Sequence, residues 1–199
     1  MANGSTPAGN PAPLGLAGFG LTTVILSVIN AGLLKSDTPA SMVAVVVPLA
    51  FAYGGVAQLI AGVLEFRLGN TFGGVAFTSY GLFWWWWALL NWTVGAGWIH
   101  APDAATVGVT LFLWGLFTFG LWIATFRSNR LVWSIFLFLW ITFFLLAGAD
   151  LGMGAGWKSA GGSLGILTGG IALFTSFAEV VNATWKREVI PLGAPVLKE

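Results

Sequence analysis

Thr23, Ser27 and Asn30 stand four and three residues apart inside an otherwise apolar run. On a helix that spacing aligns two hydroxyls and an amide on one face, with Phe19 one turn earlier. A second stripe runs Gly54, Gln58, Ala61 and Glu65 in steps of four, three and four. A third runs Thr168, Thr175, Glu179 and Asn182 in steps of seven, four and three. Thr78 and Ser79, on another apolar run, add further hydroxyls to this lining set. Polar side chains in an apolar helix face protein or water, so the stripes read as a polar path through a helix bundle. The alternative is interhelical hydrogen bonding without a path, at roughly 0.6 kcal/mol each. That reading suffices for Thr23 or Thr168 alone. For Asn30 and Gln58 both readings stay open, because amides cost more to bury. Glu65 and Glu179 fall toward one end of their runs. They are either proton-accepting or gating carboxylates, or interfacial ion pairs with Arg67 and Lys186.

No Lys or Arg falls at mid-run, so fixed positive charge is not how an anion would be held. Hydroxyls, amides, backbone donors and the positive ends of helices remain. Such weak, uncharged binding suits a solute that must also leave quickly. A small monocarboxylate crossing as the acid, or with a proton, meets that description.

The elements that must position these groups are six apolar segments: Leu14–Leu34, Ala40–Leu64, Phe72–Trp92, Ala104–Phe126, Leu131–Ala149 and Ala160–Val181. Each is long enough to cross a hydrocarbon core, which takes about 20 residues. The chain of 199 residues is 57% apolar and 8% charged, against roughly a quarter charged in a soluble domain, so its surface suits lipid. The fold class is therefore an all-α integral membrane protein with six spanning helices. Residues 1–13 form an N-terminal tail, 14–183 the helical domain and 184–199 a C-terminal tail. No basic leader precedes the first span, so no cleavable signal is expected. Arg67, Arg127, Arg130, Lys186, Arg187 and Lys198 share one side and Lys35 and Lys158 the other. This bias places both termini in the cytoplasm of a plasma (inner) membrane protein.

The same composition excludes other classes. A net charge of +1 offers nucleic acid no field, and no cysteine is present for thiolate metal sites or disulfides. One histidine, no paired carboxylates within a span and no nucleophile with a base argue against an enzyme. No metal, retinal or other cofactor is expected. Gly161, Gly165 and Gly169, like Gly55 and Gly62, fall at spacings that let helices approach closely. Trp84-Trp85-Trp86-Trp87 points all round its helix and is expected to meet lipid, the interface or another subunit rather than a solute. Phe77-Thr78-Ser79-Tyr80 echoes Phe174-Thr175-Ser176-Phe177, but one shared tetrapeptide reads as chance.

Asn10-Pro11-Ala12-Pro13-Leu14-Gly15-Leu16 opens the first span as a helix start should, with a capping residue and then prolines. The string, with Asn10, Pro11, Pro13 and Gly15 as its signature positions, resembles the hallmark of the acetate–succinate transporter family. Phe51-Ala52-Tyr53-Gly54-Gly55-Val56-Ala57-Gln58, Glu65-Phe66-Arg67-Leu68-Gly69-Asn70-Thr71-Phe72-Gly73, Ala76–Gly81, Leu113–Thr118, Gly165 and Glu179–Asn182 extend the resemblance along nearly the whole chain. The resemblance implies acetate, and other short carboxylates such as succinate, as substrates, carried by a proton-coupled or channel-like route. It implies a hexameric ring with one pore in each protomer. It also implies a hydrophobic constriction at Phe19, Tyr80 and Leu139, with Leu137 the competing leucine. A channel for a neutral solute or weak base such as ammonia is the alternative function. Nothing in the sequence separates a channel from a coupled carrier.

Overall fold

The computed structural model describes residues 9–34 and 39–197. Lys35 and Lys198, counted above in the charge bias, lie outside the described residues. Helices α1 (Ala12–Asn30), α2 (Pro39–Leu49), α3 (Gln58–Arg67), α4 (Thr71–Gly95), α5 (Ala104–Ala124), α6 (Arg130–Asp150) and α7 (Ala155–Trp185) make up the bundle, with a π-helical segment, Ala50–Ala57, joining α2 to α3 without a break. The described chain is thus six rods, with no strand among the described residues. Five rods are long and apolar enough to cross a membrane. The sixth, α4, has 25 residues and spans roughly 37 Å, which is also sufficient length. Its tryptophans make it less hydropathic than its neighbours. The first helix ends at Asn30, four residues short of the expected Leu34, and the last runs longer at both ends than expected.

The π segment follows Pro48, which cannot donate to the turn before it. The wider turn frees backbone carbonyls, and one is used at once: the Trp85 indole N–H donates to the Phe51 carbonyl at 3.0 Å. Gly54 and Gly55 sit within this segment because side chains there would strike Trp84 and Trp85.

Half of α1's apolar stretch is buried, against 17% of α5's, so α1 is central and α5 peripheral. Small residues set the central position. A Cβ at Gly20 would lie 2.7 Å from the Gly169 carbonyl, and one at Gly169 would lie 2.8 Å from the Gly20 carbonyl, so α1 and α7 cross backbone to backbone. Gly162 meets the Asn30–Ala31 backbone in the same way. The α3–α4 turn uses Gly69 at φ 79 and then Asn70, whose side chain caps α4 at Gly73.

The C-terminal segment is fastened, and Asn182 fastens it. Its Oδ1 accepts from the Val189 and Ile190 N–H groups at 2.7 and 2.9 Å, and its Nδ2 donates to the Ile190 carbonyl at 2.8 Å. The strap then reaches the start of α6, where Arg130 and Leu131 donate to the Gly193 and Leu192 carbonyls, and Leu197 donates to the Phe126 carbonyl. Asn182 therefore serves the strap and not a polar path, a correction to the third stripe. Asn182→Ala removes three hydrogen bonds of about 1 kcal/mol each. Trypsin should then cut after the exposed Lys186 and Arg187 several-fold faster in limited proteolysis of detergent-solubilised protein. An unchanged rate would show that the strap is held elsewhere.

Candidate functional site

Two cavities enter the bundle from opposite ends. The first, of about 410 Å³, is lined by the start of α1, by α3, α4 and α6, and by Glu179 of α7. The second, of about 490 Å³, is lined by the other half of α1 with α4, α6 and the ends of α5 and α7. Phe19, Tyr80 and Leu139 are the three residues common to both walls. All three are buried, at 6%, 3% and 4% exposure, and they stand where the two cavity walls meet. The Phe19 and Tyr80 rings lie 5.9 Å apart at 51°. Leu137, the competing leucine, lines neither cavity.

Tyr80 is held firmly. Its hydroxyl donates to Thr118 Oγ1 at 2.9 Å, and Thr118 in turn donates to the Trp114 carbonyl at 2.7 Å. Trp114, Phe117 and Phe136 surround the ring at 6.1 Å between centroids. Thr118 closes the Leu113–Thr118 motif, and the structure gives it the role of holding the Tyr80 hydroxyl. Its signal is a hydroxyl on an apolar helix with an aromatic hydroxyl elsewhere to satisfy.

At the first cavity the carboxylates meet amides. Asn70 Nδ2 donates to Glu65 Oε2 at 2.7 Å, and Asn10 Nδ2 donates to Glu179 Oε2 at 3.0 Å. The ion pairs with Arg67 and Lys186 offered as alternatives are not formed. Asn10 also accepts from the Ala12 N–H at 3.0 Å, so it ties the start of α1 to α7. Pro11 takes the position just before the helix, with Pro13 in its first turn, and the Pro13 carbonyl accepts from Ser176 at 2.7 Å. Gly15 leaves room for the Phe77 ring, which a Cβ would strike at 2.6 Å. The signature string is thus a docking device for the mouth of the first cavity. Asn129 and Ser128, from the α5–α6 turn, complete that mouth and carried no function in the sequence reading. Gln58 is 1% exposed and lines the first cavity, and neither its Nε2 nor its Oε1 has a partner among the described residues. Among the described residues no Lys or Arg lines this cavity.

In the second cavity Thr23, Ser27 and Asn30 share the wall as their spacing requires. Thr23 Oγ1 is buried and has no partner among the described residues. Asp150 and Lys158 stand at the far mouth. The tryptophan run corrects the expectation made for it. Trp84, Trp86 and Trp87 line this cavity, and Trp84 is 3% exposed; only Trp85 lies off it, stacked on Phe51 at 5.0 Å. Bulk at this end of the path is supplied by indoles because they fill volume while keeping a polar edge.

Three hydroxyls assigned to the lining stand elsewhere. Thr78 packs against Gly62 of α3. Ser79 faces a shallow outer groove with Thr110 and Trp114. Thr175 is fully buried and donates to the Ile171 carbonyl. Thr175 thus makes the local bond offered as the alternative for such residues, whereas Thr78 Oγ1 is buried without a partner among the described residues. The tetrapeptide echo carries no structural correspondence, since Tyr80 is 3% exposed and Phe177 61%.

Residues 2–192 match the GPR1/FUN34/yaaH family. The chain is 38% identical over 190 residues to the succinate-acetate/proton symporter SatP of Escherichia coli, covering 96% of this chain and 98% of that one. It is 40% identical over 182 residues to ammonia transport outward protein 2 of Saccharomyces cerevisiae, covering 87% of this chain and 62% of the relative. Its fold superposes on the structure of the bacterial acetate channel SatP with a TM-score of 0.88 at 37% identity, over 94% of this chain and all of that one.

Proposed function

The chain belongs to the GPR1/FUN34/yaaH family, and from that premise we propose that it transports acetate and related short carboxylates, succinate among them, across a membrane. The observation that carries this reading is the pair of cavities meeting at Phe19, Tyr80 and Leu139. A solute enters one vestibule, sheds water at an apolar ring and leaves by the other. Asn10, Glu65, Asn70 and Glu179 form the mouth of the first vestibule, and Gln58, Thr23, Ser27 and Asn30 supply neutral hydrogen-bonding groups on either side of the ring. Glu65 and Glu179, each paired with an asparagine, are the groups able to accept a proton travelling with the solute.

The first vestibule opens to the cytoplasm, with both termini on that side of the inner membrane, as the Lys and Arg bias supports. Six copies form a ring with one pore in each protomer. The broad apolar faces left exposed by α5, with Leu113, Leu116 and Ile123 at 58%, 47% and 58% exposure, supply surface for contact between copies or with lipid.

The test is flux of labelled acetate into proteoliposomes under set pH gradients, with proton stoichiometry measured alongside and lactate, propionate and succinate as competitors. Saturable acetate uptake is the expected result. The yeast relative named for ammonia makes ammonia the second arm: ammonia flux without acetate flux would replace this reading.

A further inference from the structure

Resting on that reading, we infer that the pore also conducts short neutral carboxamides, with Gln58 as the residue that selects them. Gln58 lines the first cavity alongside Phe19 and Tyr80, is 1% exposed, and has both a donor and an acceptor unsatisfied by protein. A buried amide left unpaired forfeits its hydrogen bonds to water, a larger penalty than a typical protein hydrogen bond contributes. The arrangement therefore makes sense when a solute supplies the missing partners.

A primary amide offers its own carbonyl acceptor beside its N–H donors in one plane. The partner that satisfies both at once presents an acceptor and a donor on adjacent atoms. A neutral carboxylic acid does so, with its C=O accepting from Nε2 and its O–H donating to Oε1. A carboxylate anion does not, because it has no hydrogen to donate. A primary carboxamide does so as well, through its C=O and its N–H, at nearly the same size and shape as the acid.

The surrounding charge agrees. Glu65 and Glu179 share the first cavity with Gln58, and among the described residues no Lys or Arg lines it, so no described side chain there compensates an anion approaching the ring. On the other side of the ring the lining includes two further neutral groups, the hydroxyl of Thr23 and the indole N–H of Trp84, both buried and without partners among the described residues. Asp150 and Lys158 lie at the distant mouth. The passage is thus lined, on both sides of its narrowest point, by neutral donors and acceptors suited to a small neutral solute with a carbonyl.

The experiment measures permeation of labelled acetamide into proteoliposomes, subtracting protein-free vesicles, with acetate flux measured in the same preparation. Acetamide carries no titratable group near neutrality, so its flux separates recognition of the carbonyl face from proton coupling. Acetamide should pass faster through protein-containing vesicles and should compete with acetate. Gln58→Leu, which keeps the volume and removes both polar atoms, should lower acetamide flux about tenfold, the loss expected for two neutral hydrogen bonds. Gln58→Asn, which keeps the amide on a shorter stem, should retain more flux than Gln58→Leu. Acetate flux with no acetamide flux in the unaltered protein would overturn the inference and leave the carboxylate reading standing. Loss of neither solute in Gln58→Leu would overturn the assignment to Gln58. Absence of both fluxes in the unaltered protein would overturn the inference together with the reading beneath it.

Discussion

Phe19→Ala is expected to raise the flux of bulkier carboxylates, lactate and succinate, by about tenfold relative to acetate, since a barrier lowered by about 1.4 kcal/mol is a tenfold change in rate. The expectation follows from how unequally the three ring residues are held. Tyr80 is bonded to Thr118 and surrounded by three further aromatic rings, so its truncation would unpick a packed cluster as well as open the passage. Leu139 belongs to α6 and, like Phe19, packs within the same core. Among the described residues Phe19 has one close ring contact, to Tyr80, and it faces a cavity on either side. Removing its ring therefore widens the passage with less lost packing than the about 3–5 kcal/mol of a phenylalanine in a filled core. Uptake of each labelled acid into proteoliposomes checks the point. An unchanged lactate-to-acetate ratio would take Phe19 out of the constriction. Tyr80→Phe is the companion measurement: it keeps the ring, loses the bond to Thr118, and should change selectivity far less.

The reasons why some of this was legible in the residues are physical. Helix spacing alone put Thr23, Ser27 and Asn30 on one face, and one cavity wall holds all three. Spacing could not do the same for Thr78 and Ser79. Adjacent residues on a helix point about 100° apart, so at most one could face a path, and neighbours decided that neither does. The tryptophan run misled for a related reason. Four consecutive indoles do point all round α4, but the second cavity borders α4 broadly enough that three of the four line it. Asn182 fitted its stripe by spacing, yet the chain folds back within eight residues and takes up its amide. Glu65 and Glu179 could not be resolved from sequence, because their amide partners are five residues away in one case and at the opposite end of the chain in the other. The glycine spacings carried further, since a missing Cβ is a direct statement about how near another helix can come.

That statement yields the second large effect, on stability. Gly20→Val and Gly169→Val should each destabilise the protein by about 3 kcal/mol, at the upper end of the cost of overpacking. In both cases the new Cβ meets backbone: the Gly169 carbonyl and the Leu173 N–H from one side, the Gly20 carbonyl and the Val24 N–H from the other. Backbone cannot swing aside as a flexible side chain does, so α1 and α7 must separate. The two substitutions force the same separation, and their effects should therefore fall short of additivity, with the double variant costing clearly less than the sum. Thermal unfolding of the detergent-solubilised single and double variants measures this directly. The separation has a functional consequence too, because α1 carries Phe19, Thr23 and Ser27 and is seated against α7 at this crossing. Loosening it moves the ring residue away from Tyr80, so acetate selectivity should fall in parallel with stability. Fully additive melting shifts would mean that the helices do not meet at this crossing in the membrane.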